Sequence, residues 1–326
     1  MNEDKKKDKE LLKEIKKVNA SLSFLSKNWQ DYSGVLAVQK KDQVYYCKDN
    51  IYKKVYMFEM VSFINKGKAL IDTLIEKFDY RIRFSIYFKN NNKLNAFIFM
   101  TVSFKADSYY DADIKINEFE TAFYNDICKI LGIKVSVCRF DSAVTYINMN
   151  FKNELKDISQ DIFFNKRKKC DLGKMMVLDP GYIESDKRYN AIYRAVCFSG
   201  IEKTVNDYFY RNNGDFNLII DVQHYTEEEQ RLYLYNLKTR YSLFNDISVP
   251  GKLVNITYMI QVISDNKERL IKQAEEITDH FNKNGIVLVP ISGNEVKAYK
   301  SIGSFGLMDY RAMQNIISKS VGNLMI

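Results

Sequence analysis

The sequence predicts an α+β fold, in which mixed αβ modules carry largely antiparallel sheets with helices packed on them. Three observations predict it. Short runs of alternating apolar residues recur along the 326 residues, as half-buried strands require. Between these runs, apolar residues fall at spacings of three and four, the period of a helix with one buried stripe. Hydrophobic residues make up 46% and charged residues 28%, with only 3 prolines and 13 glycines. That is a globular composition, and the length allows two compact units.

The elements follow in chain order. Leu11, Ile15, Val18, Leu22 and Leu25 draw one apolar stripe, with Lys13, Lys16 and Lys17 beside it. They predict a basic amphipathic helix within residues 1–28, docked on its own domain, on a partner helix or on a membrane surface. A first αβ module is expected over 29–165, with strands at 35–38, 44–47 and 55–58, a helix at 69–78, and strands at 81–88 and 96–104. The next helix carries Ile116, Phe119, Phe123, Ile127 and Ile130 on one face and ends at Gly132, before a strand at 133–137.

A second module is expected over 166–326. It has strands at 190–198 and 218–222, then a helix opened by Thr226 with Glu229 completing a capping box, and Leu232, Tyr235 and Leu237 helping to bury it. A strand at 255–263 follows, then a helix capped by Asp265 and buried through Leu270, Ala274, Ile277 and Phe281. Gly285 ends that helix before a strand at 286–289. Leu131-Gly132-Ile133 and Asn284-Gly285-Ile286 sit in matching contexts, 153 positions apart (285 minus 132). The pattern admits an internal repeat or chance similarity of a common motif. Last, Asp309 is placed to cap a helix with Met313, Ile316, Ile317 and Val321 along one face. That helix is a candidate docking element for a motor domain or another subunit.

The chemistry-bearing motifs are missing. No G-x-x-x-x-G-K-[ST] phosphate loop and no G-x-S-x-G elbow occurs, and Gly303-Ser304-Phe305-Gly306 reads as a turn. Asp107, Asp111 and Asp113 precede a helix, where acidic residues favour its N-terminus over a metal. Cys47, Cys128, Cys138, Cys170 and Cys197 form no C-x-x-C pair, and the two histidines are far apart in sequence. They make neither a disulfide framework nor a zinc site, and free thiols in a reducing compartment are expected. No catalytic residue, cofactor, metal or small-molecule substrate is expected. The net charge of +8 attracts phosphate, and Lys166 to Lys169 form the densest basic cluster, yet both signs are mixed along the chain. No apolar run spans a bilayer and no signal peptide is evident, so a cytoplasmic location is expected.

The ordered segments resemble the fourth VirB protein family, the large TraC-like or TraE-like conjugation ATPases of type IV secretion systems. Gram-positive members begin with a lysine-rich helix. Asp49-Asn50-Ile51-Tyr52-Lys53-Lys54-Val55-Tyr56 resembles the segment that leads into the family's aromatic-rich strand, here 57–63. The strand at 97–104 and the helix to Leu131-Gly132-Ile133 resemble the family's next step. Residues 193–199 and 215–222 resemble its later strands. Val296-Lys297-Ala298-Tyr299 through Phe305-Gly306 resembles its approach to the motor domain, although Ser304 replaces the usual proline. The family's nucleotide-binding domain would begin about where Leu324-Met325-Ile326 stands, so the resemblance implies a non-catalytic region without its motor. It also implies partners: inner-membrane components of a conjugation channel, and the motor domain or other copies of the chain; the lysines beside the N-terminal stripe add anionic lipid at the inner face of the cell membrane as a candidate contact. A basic nucleic-acid-binding protein of a mobile element is the alternative, and an enzyme of unrecognised chemistry is a third reading.

Overall fold

Period-two alternation along β5 (Arg81–Asn90) sets the plan of the molecule. Ile82, Phe84, Ile86 and Phe88 enter one apolar core, while Tyr87 enters a second core on the opposite face. The computed structural model describes residues 22–25, 29–30, 33–39, 41–90, 94–152, 175–186, 188–199, 208–212, 214–240 and 253–325. Their strands form one 14-stranded sheet in which every pairing is antiparallel. The α+β expectation holds.

The first set of strands is β1 (Leu22–Phe24), β2 (Val35–Gln39), β3 (Val44–Cys47), β4 (Ile51–Phe58), β5, β6 (Leu94–Lys105) and β7 (Val135–Val137). Helices α1 (Met60–Phe63) and α2 (Gly67–Lys77) lie between β4 and β5. Helix α3 (Tyr109–Ala122) runs on through a π-helical turn (Phe123–Cys128) into a last α turn (Lys129–Leu131). After β7 comes α4 (Phe140–Lys152). The second set is β8 (Met175–Asp179), β9 (Tyr182–Ser185), β10 (Arg188–Phe198), α5 (Tyr208–Arg211), β11 (Asp215–His224), α6 (Glu227–Arg240), β12 (Leu253–Ser264), α7 (Lys267–Lys283), β13 (Ile286–Pro290) and α8 (Glu295–Gly303). The chain closes with β14 (Gln314–Ile317), α9 (Ser318–Val321) and a 3-10 turn.

Two stretches of the sheet share one connectivity. β4 to β7 lie in the order β7-β4-β6-β5, and β10 to β13 in the order β13-β10-β12-β11. This is the split β-α-β arrangement of ferredoxin-like units. The two stretches join where β5 pairs with β11, so the strands of both expected modules form one sheet. The expected boundary at 165/166 lies outside the described residues.

Local chemistry explains the helices. Ser108 caps α3 by accepting from the Asp111 amide, and Gly132 ends it at φ +61. Thr226 and Glu229 form the expected capping box on α6. Asn266, rather than Asp265, caps α7. Leu270, Ala274, Ile277 and Phe281 are fully buried beneath α7; each large apolar side chain there contributes roughly 1.5–3 kcal/mol.

Several expectations are corrected. Leu22 lies in strand β1 against β2, not in a helix, because that strand satisfies the outer edge of β2. Leu11, Lys13, Ile15, Lys16, Lys17 and Val18 lie outside the described residues, as does the cluster at 166–169. The aromatic strand expected over 57–63 stops at Phe58, and α1 takes Met60–Phe63. Ile130 is 77% exposed rather than buried, because the π turn inserts a residue and rotates the following side chains off the buried stripe. Leu232 and Tyr235 are exposed, since none of the described side chains of α6 is buried.

The helix expected from Asp309 is absent. Residues 309–313 are irregular, and 314–317 form β14 instead. The N-terminal half of β12 has one neighbour in β11 and an open edge on its other side, which β14 closes. Ile316 and Val321 are buried in the chain's own core, Met313 is half-buried, and Ile317 lies in the strand. Leu324 and Met325 are buried in the same core.

Candidate functional site: a polar sheet face under a C-terminal strap

The two faces of the sheet differ in chemistry. α2, α3 and α7 cover an apolar face. The other face carries Lys53 on β4, Thr101 on β6, Arg81 and Arg83 on β5, Asp221 on β11 and Thr257 on β12. Register places Thr101, Arg83, Asp221 and Thr257 side by side in one row across four strands. A row like this would ordinarily face water. Here Arg83, Thr101, Asp221 and Thr257 are all buried.

The cover is the end of α8 and the strap after it, residues 301–312. Helices end with unpaired carbonyls, and this one ends over donors. Arg83 donates through Nη2 to the Ser301 carbonyl at 2.9 Å and through Nη1 to its Oγ at 2.9 Å. The Tyr87 hydroxyl donates to Ile302 O at 2.5 Å, Asn150 Nδ2 to Gly303 O at 3.1 Å, and Thr101 Oγ1 to Phe305 O at 2.6 Å. Lys53 Nζ donates to the carbonyls of Gly306 at 2.8 Å and Leu307 at 3.1 Å. Six of the seven carbonyls from 301 to 307 are thus held by side chains of the first strand set and α4. The Phe305 ring stacks on Phe99 at 4.4 Å and meets Tyr87 edge-on at 5.7 Å. Phe305 has φ +54 and Gly306 φ +80, and a Cβ at Gly306 would come within 2.3 Å of Arg83 Cδ. Glycine is required there.

The strap ends in an ionic cluster. Asp309 Oδ1 accepts from Lys53 Nζ at 2.8 Å and Arg81 Nη1 at 3.1 Å. Arg81 also holds Asp221 through two bonds, the Nε–Oδ1 one at 2.8 Å and a second from Nη2 to Oδ2. Burial alone would raise the Asp309 carboxyl, but Lys53 and Arg81 outweigh it and bring its pKa down to about 2. Burial opposes the Arg81 charge, yet Asp221 and Asp309 raise its pKa above the usual value. Burial dominates at Arg83, whose pKa is lowered despite Asp221 at 3.8 Å. Beyond the cluster, the Ala312 amide donates to Thr257 Oγ1 at 3.1 Å and the strap passes into β14.

Sequence reading missed this site. Arg81 and Arg83 alternate with apolar neighbours as solvent-facing strand residues do, and only the strap, more than 200 positions later, covers them and Lys53. The candidate tail residues behave differently. Val321 and Leu324 belong to the apolar face by α2, where Lys68 Nζ donates to Asn323 Oδ1 at 2.7 Å. The tail therefore passes from the polar face of the sheet to the apolar one.

Other chemistry is sparse. The thiols of Cys47, Cys128 and Cys138 are buried, and burial pushes the first up to about 11 and the others up to about 12. Cys170 lies outside the described residues. His224 sits in a cleft of about 600 Å³ beside α6, 3.9 Å from Asp79. Among the described residues, no group of three or more His, Cys, Asp or Glu side chains is placed to hold a metal ion, and no helix is long and apolar enough to cross a membrane. Asp111 serves the start of α3 and pairs with Lys115 at 3.0 Å. No protein-family model matches the sequence, and no curated protein matches it at a significant level.

Proposed function

We propose that this chain is a non-catalytic assembly and docking region of a type IV secretion ATPase for conjugative DNA transfer. It works at the inner face of the cell membrane, against inner-membrane channel components and neighbouring subunits. One observation carries the reading. Segments that resemble the family, far apart in sequence, supply side chains to a single place. Lys53 comes from the stretch 49–56, Thr101 from 97–104, Asp221 from 215–222, and the strap from the stretch through Phe305-Gly306. In the family that last stretch approaches the motor domain. A rigid mount for it explains why main-chain carbonyls, rather than reactive groups, are what the sheet holds. The same contacts weaken the nucleic-acid alternative on this face, because Lys53, Arg81 and Arg83 already have internal partners.

The test is genetic. In-frame deletion of the coding region in its host element should abolish DNA transfer between cells without changing maintenance of the element. Supplying the intact chain, with its motor where one follows, should restore transfer. Undiminished transfer in the deletion strain would overturn the proposal.

A further inference from the structure

We propose that the chain is a covalently fused two-fold dimer: residues 35–152 and 175–303 are two copies of one unit, and the β5–β11 seam is the surface by which each recognises the other. The inference does not depend on the proposed function.

Each stretch opens with a three-stranded meander, β2-β3-β4 in one and β8-β9-β10 in the other. The third strand of each takes the second as partner along its first half and a later short strand along its second half. These partners are β3 then β7 on β4, and β9 then β13 on β10. A crossover, a strand pair, a long helix and a left-handed glycine precede each short strand, and another helix follows it. Strand-helix-strand units recur by chance, but a match across the whole order, partner by partner, is a far narrower condition.

β5 and β11 each have ten residues, and each residue of β5 has its counterpart 134 positions later in β11. Under that shift Ser85 maps onto Ile219, its own partner across the seam. The pair Phe88–Phe216 maps onto the pair Val222–Ile82. A two-fold axis therefore passes midway between Ser85 and Ile219, as a self-complementary interface requires. A slip of one residue would destroy the symmetry and turn every side chain to the wrong face. Over the seam, the equivalent helices α4 and α8 meet: Phe151 and Tyr299 pack edge-to-face at 5.2 Å.

On the polar face, the β5 edge carries Arg81, Arg83 and Lys89, and the β11 edge carries Asp215 and Asp221. Ion pairs cross the seam at both ends, Arg81 with Asp221 and Lys89 with Asp215 at 3.6 Å. A β5 edge facing another β5 edge in this register would set Arg81 opposite Lys89. The two copies have thus diverged to prefer each other over themselves, and charge sets that choice. What breaks the symmetry is also clear. Three positions, 91–93, separate β5 from β6, whereas α6 and residues up to 252 separate β11 from β12.

The experiment uses the full chain with a specific protease site placed within 153–174 and cut after folding. The nicked halves should elute as one particle and melt in one transition, within a few degrees of the uncut chain. Separated in mild denaturant and mixed again, they should re-form that particle, and neither half should pair with its own kind. Lys89→Asp sets two carboxylates across the seam and should weaken re-association at least about tenfold. Lys89→Asp with Asp215→Lys should restore it. Halves that come apart as unfolded chains would overturn the proposal. Re-association indifferent to Lys89→Asp, or a charge swap that restores nothing, would equally place the recognition elsewhere.

Discussion

At the scale of single residues, two charges held against the sheet behave in opposite ways. Asp309 has its pKa depressed to about 2 in the folded chain, against roughly 3.9 when unfolded. Its contribution is present above the unfolded value and is lost as pH falls through the folded one. Its side chain is 36% exposed, so solvent screening reduces that contribution to about 1 kcal/mol. Asp309→Asn should cost about that much at pH 7 and only a small part of it at pH 2, read from denaturant midpoints of both proteins across that range. Lys89 runs the other way. Burial, with Arg188 adding repulsion, outweighs Asp215 and brings it down to about 8. A depressed lysine costs stability while it must stay charged, and the cost fades as pH rises from 8 towards its unfolded value. The relative gain on Lys89→Met should therefore be larger at pH 7 than at pH 10, by about 1–3 kcal/mol. A gain constant with pH would assign the effect to packing instead. None of this was legible beforehand. Lys53, Arg81 and Lys89 carry the sequence signature of a wet strand face, and sequence alternation does not say what later covers a face.

At the scale of elements, local rules read well where the element is autonomous. Strands 81–90 and 94–105, the α6 capping box and the buried stripe of α7 all follow from period, cap and glycine. They fail where tertiary demand is stronger. Asp309 does not cap a helix because Lys53 and Arg81 claim its carboxylate, and residues 314–317 extend because the open edge of β12 takes them. Helix α4 went unnoticed although Ala143, Val144, Ile147 and Phe151 repeat at helical spacing. Cutting the chain after Gly306 therefore removes Leu307, Ile316, Val321, Leu324 and Met325 from the core. At roughly 1.5–3 kcal/mol for each large side chain, the melting temperature should fall by tens of degrees or folding should fail. A shift of a few degrees would mean that the tail is only an appendage. By contrast, changing Leu232 and Tyr235 of α6 to Ser should move stability by no more than about 0.5 kcal/mol each, since both are exposed.

At the scale of the whole molecule, one antiparallel sheet spans both units, with one apolar core on one face and, on the other, a second apolar core interrupted by the polar row under the strap. That architecture fixes a returning chain segment by its carbonyls, and the sequence carries no phosphate loop. The account accordingly expects no specific ATP binding, and micromolar binding competed by ADP in calorimetry would refute that part. The central claim is docking to the conjugation channel. Its most direct measurement is co-sedimentation of the purified chain with membranes that carry the inner-membrane channel proteins, beside membranes of the same lipid without them. The account predicts retention that requires the channel proteins. Equal retention on both membranes, or none on either, would contradict it.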